Sequence, residues 1–96
     1  MDVMMHLTTP DAARIAAPLG RALSAQGATW GCFLTSDGVM ALADADFLTV
    51  SANAERIAVC ETSWDLHMAG QSCPAETGSQ TINSIMMAEA EKVVSL

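Results

Sequence analysis

Three thiols, two imidazoles and a handful of turn hydroxyls hold the reactive groups of this chain, and Cys60 is the thiol best placed to react. It closes the apolar run Arg56-Ile57-Ala58-Val59-Cys60 and precedes Glu61-Thr62-Ser63-Trp64-Asp65, where a strand-like pattern gives way to a helix-like one. Backbone N–H groups at a helix start favour a thiolate, the form that attacks a sulfur donor or carries a persulfide. The competing use of such a residue is as a small buried hydrophobe. Glu61 opposes ionisation unless its carboxylate turns away. Cys32 alternates with Trp30 and Leu34 in a strand pattern and reads as packing. Cys73 lies in the loop Gln71-Ser72-Cys73-Pro74-Ala75. It is a candidate second thiol that could resolve a sulfur species on Cys60, and an incidental loop thiol otherwise.

Other chemistries lack their signatures. His6 and His67 have no ligand partner nearby in sequence, and no Cys-x2-Cys, His-Glu-x2-His or compact acidic loop is present, so no metal site is expected. The turn after the first strand, Thr8-Thr9-Pro10, is not a glycine-rich phosphate loop. Ser36, Ser63 and Ser79 lie outside any Gly-x-Ser-x-Gly elbow, which removes the signal for a serine hydrolase. Met4, Met5, Met86 and Met87 read as core or subunit-contact residues. No organic cofactor is called for, since a cysteine carries its own cargo.

The elements that must position Cys60 follow from the hydropathy pattern. Val3 to Leu7 reads as a first strand. Thr9-Pro10-Asp11 then supplies a cap, a first-turn proline and an acid for the positive end of a helix. Ala12, Ile15, Ala16, Leu19, Ala22 and Leu23 recur at helical spacing up to Gly27, with Pro18 expected to kink or break the run. Ala28 to Thr35 is apolar at both parities, as a buried parallel strand is, and Ser36-Asp37-Gly38 ends it with turn residues. Residues 39–53 allow a short helix around Phe47, Leu48 and Val50, but the period is weak. Arg56 to Cys60 is a third strand. Thr62 to Asp65 has the spacing of a capping box, opening a helix to about Gly70. Thr77 to Gln80 offers another, ahead of a helix through Ile82, Ile85 and Met86, and Lys92 to Leu96 closes as a strand.

Strands alternating with helices predict an α/β fold: a single domain over residues 1–96, three layers, a mostly parallel sheet of about four strands and helices on both faces. Right-handed crossovers gather the strand C-termini on one edge, and ligands in such sheets sit there near the topological switch point. Thr9, Asp37, Gly38, Cys60, Thr62 and Ser63 all belong to loops of that edge, and are the candidate site residues.

The whole composition narrows the partners. Eleven acids oppose four basic residues, a net charge of −7, so neither nucleic acid nor an anionic membrane surface is an expected partner. A chain of 96 residues that is 51% hydrophobic and 16% charged is oily for a small monomer, which points to burial against another subunit. No run is long enough to span a bilayer, and no basic start followed by an apolar stretch marks a signal peptide. Three cysteines make no paired framework and suit a reducing, cytoplasmic setting.

Three stretches together resemble the DsrE/DsrF-like family, which includes YchN-type proteins and the sulfur-relay subunit TusD. Phe33-Leu34-Thr35-Ser36-Asp37-Gly38-Val39 is similar to that family's strand and Gly-Val turn. Ile57-Ala58-Val59-Cys60 is similar to the strand leading into its sulfur-carrying cysteine, and Ala88 to Leu96 to its closing helix and strand. The resemblance implies a three-layer α/β fold, trimers or hexamers, and, as in sulfur-relay members, a persulfide on Cys60 exchanged with donor and acceptor proteins. Two departures bear on activity. Ser63 stands where some members have a second cysteine, which excludes a local dithiol. The helix after Cys60 has Gly70 but no Arg, so a cationic partner for a thiolate or an anionic donor is missing there.

Overall fold

The computed structural model describes all of residues 1–96, and its centre is β2, Trp30–Leu34, in which all five residues are buried. Four further strands complete a parallel sheet: β1 (Val3–Leu7), β3 (Arg56–Cys60), β4 (Glu76–Gly78) and β5 (Lys92–Ser95), in the order β4-β3-β2-β1-β5. The helices are α1 (Ala13–Ala25), α2 (Ala45–Ser51), α3 (Glu61–His67) and α4 (Gln80–Glu89). Two 3-10 segments, Pro10–Ala12 and Ser36–Ala43, lead into α1 and α2. The fold is α/β as the alternation predicts, with five strands in place of about four.

From β1 to β4 each strand lies beside the previous one, so the right-handed rule sends every connecting helix to the same face. Only the return from β4 to β5 runs the other way, which puts α4 alone on the second face. The side chains divide accordingly. Met5, Leu7, Trp30, Cys32, Leu34 and Val59 pack with residues of α1, α2 and α3 in the main core. Met4, Phe33, Ala58 and Cys60 pack with Met86 of α4 in a smaller one. Parity along each strand decides the face, because successive side chains point opposite ways.

Small residues set the spacing of the main layer. Ala13, Ala16, Ala17 and Gly20 form the buried stripe of α1, and Gly20 receives the Trp30 ring, where a Cβ would stand 2.7 Å from two ring carbons. The indole N–H is satisfied by the Ser24 hydroxyl at 2.8 Å. Pro18 does not break α1, which runs unbroken from Ala13 to Ala25. Its position is solvent-exposed, so the carbonyl that loses its N–H partner is left to water. The ambiguous stretch 39–53 resolves into the rest of the 3-10 segment and α2, whose start is fixed by the Asp44 carboxylate accepting from the Phe47 N–H at 2.9 Å.

β4 is the strand that the pattern does not reveal. Its three residues, Glu-Thr-Gly, are polar and mostly exposed, and it forms the edge beside β3. A bidentate ion pair ties it down: Arg56 Nε and Nη2 donate to Glu76 at 2.8 and 3.0 Å. α3 also departs from expectation. It begins at Glu61, with Cys60 as its N-cap, so the Thr62 to Asp65 box makes no cap, and it ends at His67.

Candidate functional site around Cys60

Cys60 is the last residue of β3, and its side chain points to the α4 face. The register places it opposite Gly78 of β4, and one step beyond the Leu34–Val59 pair it lies beside Thr35. Three chain segments therefore converge on the sulfur. They are the turn after β2, the first turn of α3 and the first turn of α4.

The turn after β2 carries a strained residue. Ser36 has φ 53°, in the left-handed region that a residue with a Cβ enters at a cost of about 1–2 kcal/mol. Its N–H donates to the Ser63 Oγ at 2.9 Å, so α3 holds the turn in place. Gly38 follows because the chain passes over the end of β1. A Cβ there would stand 2.8 Å from the Leu7 carbonyl carbon and 2.9 Å from that of Thr8. From α4, the Gln80 Nε2 donates to the Thr35 Oγ1 at 2.9 Å, and its Oε1 accepts from the Asn83 Nδ2 at 3.1 Å. Ser79 caps this helix, accepting from the Thr81 N–H at 3.2 Å.

The electrostatics of the three thiols differ. Burial pushes Cys60 up, but the Ser63 hydroxyl and N–H, the Gln80 amide and the Thr62 N–H together outweigh it and bring the thiol below its ordinary value. All of these helpers are neutral. Ser63 and Gln80 are already engaged with Ser36 and Thr35, and each keeps one more proton to offer an anionic sulfur. Glu61 is exposed and takes no part in the shift, so its carboxylate does not suppress ionisation. Cys32 is fully buried in the main core, and desolvation drives its thiol far above the ordinary range. Burial also raises Cys73, with the Ala75 backbone opposing.

Cys60 is not an open nucleophile. Its relative exposure is 9%, and Met4, Phe33, Ala58 and Met86 form one wall around it. Polar groups form the other, so the sulfur sits at the boundary between an apolar cluster and a hydrogen-bonding rim.

The remaining sequence candidates scatter. Ser63 joins the site through both hydroxyl and backbone, while Thr62 contributes only its N–H and leaves an exposed side chain. Asp37 is exposed in the first turn of the 3-10 segment. Gly38 has a packing reason for its identity and does not form a ligand-facing wall. Thr9 is an exposed residue ahead of the Pro10–Ala12 turn, and its side chain makes no capping bond. Cys73 precedes β4, whereas Cys60 lies beside its last residue, so the two thiols belong to opposite ends of that strand. No group of three His, Cys, Asp or Glu side chains clusters as a metal ion would require. Gln80 and Asn83 are what residue-type reasoning missed. Ser79 as a cap would have put Gln80 in a first turn, but nothing in sequence tells that this turn meets Cys60.

Two features of position also differ from expectation. The order of the strands reverses between β1 and β5, two strands from Cys60, and that crevice is closed by the Thr8 N–H and Oγ1 donating to the Leu96 carbonyl at 3.0 and 3.1 Å. The cleft of the molecule, about 360 Å³, opens at the other end of β3, among Leu42, Leu48, Ile57, Pro74, Glu55 and Arg56. It contains no thiol, and its guanidinium is already paired with Glu76. The thiol and the cleft therefore lie at opposite ends of β3. No helix is long and apolar enough to cross a membrane. Scans against family models, curated proteins and solved structures return no match to this chain.

Proposed function

We propose that the protein handles sulfane sulfur in the manner of the DsrE/DsrF-like proteins, carrying it as a persulfide on Cys60. The Cys60 thiolate attacks the outer sulfur of a donor's persulfide. The donor's S–S bond breaks, the donor leaves as a thiolate, and a new S–S bond forms on Cys60. An acceptor thiolate then attacks that outer sulfur and Cys60 leaves as a thiolate. The sulfur keeps its oxidation level throughout, so no oxidant or reductant is consumed. The observation that carries this reading is the convergence of Ser63, Thr62 and Gln80 on one sulfur at a strand end, which favours its anion despite burial. Ser63 and Gln80 stand in for the missing Arg, with neutral donors taking the place of a cation.

The same reading takes the chain as a homo-oligomer, a trimer or hexamer, in a reducing cytoplasm. A second face with one helix, and the exposed Ile85 (47%) and Val93 (44%), support burial against other copies.

A rival reading is a non-catalytic homo-oligomer that binds a small ligand or a protein. The 9% exposure of Cys60 favours it, and so does a cleft remote from that thiol. Incubation with a low-molecular-weight persulfide followed by intact mass measurement separates the two. Sulfur transfer gives an added mass of one sulfur atom that thiol reductant removes and that Cys60→Ser lacks. A native chain that gains no sulfur refutes transfer and leaves the binding module.

A further inference from the structure

We propose that Asn83 is a positioning residue that locks the Gln80 amide with its NH2 end toward Cys60. The inference rests on the reading of Cys60 as the reactive thiol, and adds the device that sets the polarity of its surroundings. A primary amide presents a donor at one end and an acceptor at the other, and at a thiol the two have opposite effects. With the NH2 toward sulfur, the thiolate gains a donor. With the oxygen there, the neutral S–H is favoured. Thr35 accommodates either, because its hydroxyl both donates and accepts. Asn83, an amide that could present either end, presents its donor here. Its Nδ2 donates to the Gln80 Oε1 at 3.1 Å, which pins the oxygen away from the sulfur and leaves the NH2 for Thr35, at 2.9 Å, and for Cys60.

Asn83 is an unusual residue to find here. It is 7% exposed, the only buried polar or charged side chain of the protein, and its Oδ1 is sequestered from solvent with no hydrogen-bond partner. A leucine or methionine would fill the same place under α4 without that unsatisfied acceptor, whose burial is costly. The cost is accounted for if the Nδ2 has a task, and its one hydrogen bond in the structure goes to Gln80.

A double-mutant cycle tests this, with the rate of Cys60 alkylation by iodoacetamide followed against pH by intact mass. All variants carry Cys73→Ser, and Cys32 is sealed in the core. Asn83→Leu raises the midpoint of the rate profile and slows alkylation at neutral pH severalfold. Gln80→Met does the same. Asn83→Leu added to Gln80→Met changes nothing further, because the amide that it positioned is gone. Asn83→Asp, nearly isosteric, covers the case in which leucine disturbs the fold. A carboxylate there attracts the Gln80 NH2 and turns the oxygen to the sulfur, so it raises the midpoint more with Gln80 present than in the Gln80→Met background. An unchanged midpoint in Asn83→Leu, or equal shifts in both backgrounds, overturns the proposal. A native Cys60 that resists alkylation at all pH values overturns both this proposal and sulfur transfer. A coupled cycle in a chain that takes up no sulfur upholds the amide lock and refutes transfer alone.

Discussion

Replacing Gly38 by alanine sets two effects of opposite sign against each other. Gly38 has an ordinary negative φ, so alanine is conformationally acceptable there, and the loss of backbone freedom in the unfolded chain would stabilise the protein by about 0.5–1 kcal/mol. Against this, the new Cβ would stand 2.8 Å from the Leu7 carbonyl carbon and 2.9 Å from that of Thr8, where carbon atoms normally rest about 3.5–4 Å apart. Neither neighbour yields easily. The Leu7 oxygen accepts from the Thr35 N–H at 3.0 Å, and the Thr8 N–H donates to Leu96 at 3.0 Å, so the end of β1 is fixed on both sides. Overpacking of this kind costs about 1–3 kcal/mol, and a broken Thr35–Leu7 bond adds about 1 kcal/mol. The steric side wins, with a net loss of roughly 1–3.5 kcal/mol. Urea unfolding followed by Trp fluorescence reads this as a midpoint lower by roughly 1–2 M, with the slope unchanged. A midpoint equal to or above that of the native chain would refute the reasoning, and with it the close passage of the 3-10 segment over β1.

Ser63→Ala removes the acceptor of the Ser36 N–H and a donor to the Cys60 sulfur in one step. It is expected to raise the Cys60 midpoint in an alkylation–pH profile and to lower stability by about 1 kcal/mol in urea, the worth of one exposed hydrogen bond. His6 supplies the pH dependence. Burial lowers its pKa below 6.5, so the unfolded chain takes up this proton more readily than the folded one. Its contribution to stability is complete above pH 6.5 and is lost as the pH falls below it. In His6→Leu, unfolding midpoints measured on either side of pH 6.5 therefore differ less than in the native chain.

The sheet was legible where burial imposes a pattern. β1 and β3 read to the residue because Val3–Leu7 and Arg56–Cys60 are short apolar runs bounded by turn residues. β2 shows no alternation because helices cover both of its faces, which is itself the mark of a central parallel strand. β4 was invisible for the converse reason. An exposed three-residue edge needs no apolar side chains, and an ion pair to Arg56 holds it. α2 could have been found from Asp44, a capping residue three positions before Phe47.

For the site, the sequence located the thiol at a strand end and named Ser63 beside it, since both follow from local order. It did not deliver Gln80 and Asn83. Their part depends on α4 crossing to the second face, a consequence of topology that no local pattern encodes. The worry over Glu61 dissolved for a simpler reason, because the first exposed position of α3 turns that side chain to solvent.

The reversal that sends α4 across the sheet also orders events in time. Strands β1 to β4 can pair in succession as the chain lengthens, each with the one before it, while β5 must find β1 at a sequence separation of 89 residues between Lys92 and Val3. A nascent fragment ending before residue 79 would thus own Cys60 and Ser63 but neither Gln80 nor Asn83, and its sulfur would lie uncovered on a bare sheet. Of the groups that lower the Cys60 thiol, Ser63 and Thr62 thus precede Gln80 along the chain, and the set is complete only once α4 has packed on the second face.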